Sequence, residues 1–267
     1  LVATLKVEKY DFVVDLHNSL RTRLIKFQLG VKSKAFDKLN IRKWIFTNFK
    51  KNVMPNVHIV DRYVDTLKPL GLKNDEEGLE YFIPHKDEVE KDWLPETHRE
   101  YYIVYAIGGQ HATKKLPLKK MIQLCDQINK PVVLIGGKED EKTGEQIADF
   151  FNQQSDEIIE KLNKKTVIFN ACGKFNINQS AAIIRDAKVV FTHDTGMMHI
   201  AAAFKKKIYS IWGNTSPHFG MYPYRTEFVI YENNKLKCRP CSKIGFKSCP
   251  KGHFKCMNEL QFDFWIP

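Results

Sequence analysis

The chain has 267 residues, enough for two modest α/β domains or one large one. Its apolar fraction of 43%, with 12% aromatic, excludes a disordered chain, and no run of about 18 apolar residues predicts a membrane span. A net charge of +11 calls for an acidic partner. The Lys and Arg residues are scattered and lack the interleaved aromatic signature of an RNA-binding core, which favours phosphate-bearing small molecules or lipids over nucleic acid.

In chain order, residues 10–16 read as a short strand, and residues 17–23 as a loop and helix start. Residues 40–51 are basic and aromatic. Val60, Val64 and Leu67 give residues 56–70 a helical spacing that Gly71 stops. Residues 84–99, rich in Pro, charge and aromatic side chains, read as a linker. From Tyr101 the pattern becomes regular. Strands are predicted over 101–107, 132–135, 166–169, 188–192 and near 208–212. Helices are predicted from Pro117 through Ile128, over 141–150, and over 179–187. Strands alternating with helices predict a parallel sheet covered on both faces. No internal repeat is seen, and no signal peptide is expected from these residues.

The most informative stretch is Phe191 to Ala203. An apolar, β-branched run ends in Asp194-Thr195-Gly196, and a small-residue helix carrying His199 follows at once. This order puts a carboxylate, a hydroxyl and free backbone N–H groups at the carboxyl end of a strand, where open α/β sheets bind ligands. Helix N-termini also favour phosphate. Trp212-Gly213-Asn214-Thr215-Ser216-Pro217 forms a second polar loop on the same edge. Upstream, Gly108-Gly109 leads to Thr113, Lys114 and Lys115 before a Pro-started helix. A lysine there can neutralise a diphosphate, although the sequence is neither a Walker A nor a GxGxxG fingerprint; read alone it is equally a solvated basic loop. Asp140, in Gly136-Gly137-Lys138-Glu139-Asp140-Glu141, can accept from ribose hydroxyls, or simply stabilise a helix start. His199 reads equally as a ligand contact or a packed side chain. His17, Arg21, Arg23, His58 and Arg62 form a basic set able to bind an anionic acceptor, or a plain surface. Cys238, Cys241, Cys249 and Cys256 are dense enough for a structural zinc site or for two disulfides in one of three pairings.

Together these residues resemble glycosyltransferase family 9, the ADP-heptose:lipopolysaccharide heptosyltransferases. The resemblance rests on Asp194 to Ala203, on Trp212 to Pro217, and on Lys114-Lys115-Leu116-Pro117, where Leu116 replaces the family's usual Trp. It also rests on the cysteine pattern and on Tyr10 to Asp15. It implies a GT-B fold of two Rossmann-like α/β domains with parallel sheets. Residues 1–95 would be an acceptor-side domain plus linker, and residues 96–267 the donor domain. The resemblance implies that Thr113 and Lys114 hold the diphosphate, Asp140 lies near the ribose and Phe175 flanks the adenine. Asp194 would bind sugar hydroxyls, and the Thr195 and Gly196 amides the diphosphate; His199 matches the motif. It implies an inverting transfer from an ADP-sugar to an anionic, lipid-linked inner-core acceptor, at the cytoplasmic face of the inner membrane, with no metal needed for catalysis.

In the family the candidate base is an Asp in the loop after the first strand of the first domain. No equivalent lies near Leu1, so the first domain is expected to be incomplete and the chain to bind donor without efficient transfer. The readings to be separated from this one are a transferase with another nucleotide-sugar donor, a non-catalytic sugar-nucleotide-binding protein, and a basic nucleic-acid module with a zinc cluster.

Overall fold

The computed structural model describes residues 1–153 and 163–266. Backbone contacts divide it into two compact units. The first comprises Leu1–Glu76 with His218–Met221 and the second Glu77–Pro217 with Tyr222–Pro267.

The first unit contains helix α1 (Val2–Val7), strand β1 (Phe12–Asp15), helix α2 (Leu20–Leu29), strand β2 (Lys32–Ala35) and helices α3 (Asn40–Phe49) and α4 (Ile59–Val64). β1 and β2 pair in parallel, with Phe12 opposite Lys32 and Asp15 opposite Ala35. α2 starts where Ser19 and Thr22 form a reciprocal capping box and stops at Gly30, whose φ of 69° provides the left-handed cap. The helix expected over 56–70 is α only as far as Val64 and continues as a 3-10 run, Asp65–Leu70. Pro69 lies inside that run; it has no N–H to donate to an α-helical ladder.

The second unit is a six-stranded, wholly parallel sheet built from β3 (Ile103–Ala106), β4 (Val132–Ile135), β5 (Ile168–Asn170), β6 (Val190–His193), β7 (Ile208–Trp212) and β8 (Phe228–Glu232). Their spatial order is β5-β4-β3-β6-β7-β8. The order reverses between β3 and β6, the switch point at which such sheets bind ligands. β3, β4, β6 and β7 are buried at every position, as expected of strands covered on both faces. The connecting helices are α5 (Leu118–Ile128), α6 (Glu141–Asn152), α7 (Ile177–Asp186) and α8 (Gly196–Ala203), and a short α9 (Lys255–Asn258) lies near the C-terminus. α5 buries the stripe Met121, Leu124, Cys125 and Ile128 read from the sequence. α6 approaches β5 closely at Gly144, where a Cβ would fall 2.2 Å from the Asn170 amide.

The division falls between Glu76 and Glu77, earlier than the boundary expected at residue 95. Residues 77–100 are held to the second unit by polar contacts that no local pattern announces. Asp87 accepts from the Asn176 and Asn178 amides at 2.9 and 2.7 Å. Glu88 pairs with Arg185 at 2.9 Å, and the buried His98 ring lies 3.2 Å from the Val167 carbonyl. The expected linker is thus a packed strap with three short 3-10 turns. No helix among the described residues is long and apolar enough to cross a membrane.

Candidate nucleotide-sugar site

The loops that leave β3, β4, β6 and β7 converge on one ion-paired cluster. β6 ends in His193, followed by Asp194, which is 8% exposed. Lys114, from the loop after β3, places Nζ 2.7 Å from Asp194 Oδ2 and also donates to the Asp194 carbonyl at 3.1 Å. Thr215, from the loop after β7, donates to the same Oδ2 at 2.9 Å. His199, on α8, is half-buried; its pKa is lowered by burial, while Asp194 pulls it up and Lys114 pushes it down. Lys114, Asp194, Thr215 and His199 are therefore one electrostatic group.

A second pair stands beside it. Lys115 Nζ is 3.0 Å from Asp140 Oδ1, and Asp140 Oδ2 accepts from the Gly137 N–H at 3.1 Å. The two groups meet at the glycines after β3. A Cβ on Gly108 would lie 2.8 Å from Asp140 Oδ2; one on Gly109 would lie 3.3 Å from Lys115 Cγ and 3.4 Å from Thr195 Cγ2. Glycine leaves room here because the backbone runs close to Asp140 on one side and to Lys115 and Thr195 on the other. A Cβ on Gly196, at the start of α8, would instead meet open space. Phe175 is half-buried in the turn after β5, just before Asn176 caps α7.

Three further residues, His193, Lys115 and Arg239, fix this geometry. His193 is fully buried, and its Nε2 accepts from the Leu116 N–H at 3.0 Å, with the Tyr105 hydroxyl 3.3 Å away. Burial drives its pKa down to about 3, so the ring is neutral and ties the lysine loop to β6. Lys115 holds Asp140, as above. Arg239 lies between two of the clustered cysteines. It donates to the carbonyls of Gly213 and Thr215 and pairs with Glu232 at 2.9 Å, which clamps the loop after β7. The only hint of Arg239 in the sequence is its place between Cys238 and Cys241.

Thr113 differs from the expectation that it faces a diphosphate. It is 2% exposed, and its hydroxyl donates to the Phe246 carbonyl at 3.1 Å while accepting from the Phe246 N–H at 2.8 Å. Both roles of the hydroxyl are engaged in holding the cysteine-bearing segment against the lysine loop. Among the described residues, the four cysteines of that segment stand as thiols with no disulfide between them. Cys256 is buried; desolvation pushes its pKa up to about 12, against Arg239, with Cys241, Cys249 and Cys238 adding to the rise. Cys238 Sγ lies 3.9 Å from His253 Nε2. Among the described residues no three His, Cys, Asp or Glu side chains are arranged to hold a metal ion.

In the first unit, His17, Arg21, His58 and Arg62, four of the five basic residues expected to bind an acceptor, occupy different settings. His17 and Arg21 are exposed. His58 is 2% exposed, and its Nδ1 caps α4 by accepting from the Val60 N–H at 3.1 Å. Arg62 sits 4.8 Å over the Phe36 ring, donates to the Asp37 carbonyl at 2.6 Å and lines a cavity of about 310 Å³ with Lys34, Asp37, Asp65 and Thr66.

The sequence model of glycosyltransferase family 9 (heptosyltransferase) matches residues 1–250. The chain belongs to glycosyltransferase family 9. Among its relatives, the lipooligosaccharide heptosyltransferase 2 of Haemophilus influenzae is 24% identical over 255 residues, which cover 89% of this chain and 71% of that protein. Among solved structures, the family 9 glycosyltransferase of Veillonella parvula superposes with a TM-score of 0.63 at 19% identity, covering 86% of this chain and 65% of that one. The ADP-heptose lipopolysaccharide heptosyltransferase II of Escherichia coli superposes at 0.59 and 18% identity, covering 97% and 78%. The family 9 chain is thus α/β with parallel sheets of GT-B type.

Proposed function

We propose that this family 9 chain binds ADP-heptose along the carboxyl edge of its six-stranded sheet and takes part in transferring the heptose to a lipopolysaccharide inner-core acceptor. The observation that carries this reading is the order of side chains along that edge. Phe175 follows β5, Asp140 follows β4, Lys114 follows β3, and Asp194 with the start of α8 follows β6. Adenine, ribose, diphosphate and sugar follow one another in an ADP-sugar in the same order. The family membership, and the ADP-heptose named for the Escherichia coli structure, support this donor over others.

In this reading Lys114 exchanges part of its ion pair with Asp194 for the diphosphate, and the N–H groups of Thr195 and Gly196 add the positive end of α8. Asp194, relieved of some of that pairing, accepts from sugar hydroxyls. The transfer is a single displacement. The acceptor hydroxyl gives up its proton to a base, its oxygen forms a bond to C1, and the C1–O bond to ADP breaks with inversion. Lys114 and the α8 amides stabilise the charge that builds on the leaving diphosphate. On the first unit, Arg62 and Lys34 beside the cavity suit an anionic acceptor, and the basic surface suits peripheral contact with an anionic membrane.

Thermal unfolding with ADP, UDP and GDP tests the donor. A ligand that binds only the folded chain raises its midpoint. ADP is expected to give the largest rise. A larger rise with UDP or GDP would assign another nucleotide-sugar donor, and no rise with any of them would remove the reading.

A further inference from the structure

The loop that leaves β7 holds one side chain that the proposed donor site does not use. Asn214 is 2% exposed, and among the described residues neither its Nδ2 nor its Oδ1 has a hydrogen-bond partner. Around it the polar groups are satisfied. Trp212 Nε1 donates to Ser210 at 3.1 Å, Thr215 donates to Asp194 at 2.9 Å, and the Asn214 carbonyl accepts from the Cys241 N–H at 2.8 Å. Arg239 covers the carbonyls on both sides. The backbone at Asn214 is therefore pinned, and the amide is held in place without a partner. A buried amide left unpaired is destabilising, so natural chains keep one where something else completes it.

Place in the sheet says what that is. Asn214 directly precedes Thr215, the residue that reaches Asp194. β7 lies one strand beyond β6, whose loop carries Asp194 at the sugar end of the series that begins with Phe175 at β5. The β7 loop therefore borders the position given to the transferred sugar, and Thr215 ties it there through Asp194. A primary amide offers a donor and an acceptor together, which is what a sugar hydroxyl, itself both donor and acceptor, can satisfy.

We propose that Asn214 is a specificity-determining residue whose side-chain amide pairs with a hydroxyl of the transferred sugar, next to the hydroxyls taken by Asp194. This rests on the ADP-sugar reading above. A site built to hydrogen-bond a hydroxyl discriminates strongly against ligands that lack it, because its own polar groups are then left unpaired.

The test compares the wild-type chain with Asn214→Ala by calorimetric titration with ADP and with ADP-heptose, together with thermal unfolding of each ligand-free chain. The expected result has three parts. ADP affinity is unchanged, ADP-heptose affinity falls about 10-fold, and the ligand-free variant unfolds no earlier than wild type because an unsatisfied amide has been removed. Asn214→Ser, which keeps a polar group of shorter reach, is expected to fall between the two in ADP-heptose affinity. Equal loss for ADP and ADP-heptose, or no loss for either, overturns the assignment while leaving the donor site standing. Earlier unfolding of the free Ala and Ser variants also overturns it, since the amide would then be serving the fold. A wild-type chain that binds ADP but gains nothing from the heptose removes the assignment. One that binds neither removes the donor reading with it.

Discussion

His193 illustrates how one side chain can couple stability to the site. Its ring is buried and neutral, with a pKa near 3, and accepts from the Leu116 N–H of the lysine loop. The unfolded chain protonates a histidine near pH 6.5. Because the folded pKa lies below that value, the unfolded state binds more protons as pH falls from about 6.5 towards 3, and folding stability is lost across that window. His98 and His199 are shifted the same way by burial and add to the loss. Replacing His193 with Gln is expected to flatten the fall in denaturation midpoint between about pH 6.5 and 4, and an unchanged pH profile would show that the ring titrates freely. The thiols give a second residue-scale prediction. Cys238, Cys241 and Cys249 are half-buried, whereas Cys125, Cys172 and Cys256 are buried with raised pKa values. Thiol titration of the native chain should find three fast-reacting groups and three that react only after denaturation. Fewer than three fast groups would mean that a metal or a disulfide occupies the cluster.

At the scale of elements, α7 depends on Asn176. Its side chain accepts from the N–H groups of Asn178 and Gln179, the Gln179 side chain answers the Asn176 N–H, and the Asn176 amide reaches Asp87 on the strap. Asn176→Ala is expected to cost about 1–2 kcal/mol in chemical denaturation; a loss below a few tenths would mean that the strap holds the turn without the cap. The helices and buried strands of the second unit are legible in the sequence because each carries a period or an unbroken apolar run, as in Val132–Ile135 and the α5 stripe. β8 is not, since Phe228–Glu232 sits at the sheet edge with mixed exposure and no turn signal separates it clearly from what precedes it. β2, Lys-Ser-Lys-Ala, has no apolar alternation at all and is a strand through its pairing with β1. The strap reads as a linker for the same reason. What fixes Asp87, Glu88 and His98 are partners about 35 to 97 residues away.

At the scale of the molecule, the site shows the same division. Asp194, Thr195 and Gly196 can be read from the sequence because strand, turn and helix are contiguous there. The partners that shape them come from far along the chain: Lys114 lies 80 residues from Asp194, and Leu116 lies 77 from His193. Thr113, read as a ligand contact, instead bonds to Phe246, 133 residues away. The first two pairings follow from the strand order, which brings β3 beside β6, and no local spacing encodes any of the three. The charge of +11 is also a property of the whole chain. Co-sedimentation with vesicles rich in anionic lipid is expected at about 50 mM salt and to disappear towards 500 mM, as screening shortens the range of the attraction. Binding that ignores salt would point to apolar insertion instead.

Lys114 and Asp194 assemble the proposed donor site. Calorimetric titration of ADP-heptose into the wild-type chain, Lys114→Ala and Asp194→Ala tests it most directly. Saturable binding to wild type and a loss of about 10-fold or more in each variant are expected. In Lys114→Ala the loss should appear with ADP as well; in Asp194→Ala it should appear chiefly with the sugar attached. Equal affinities in all three chains would contradict it.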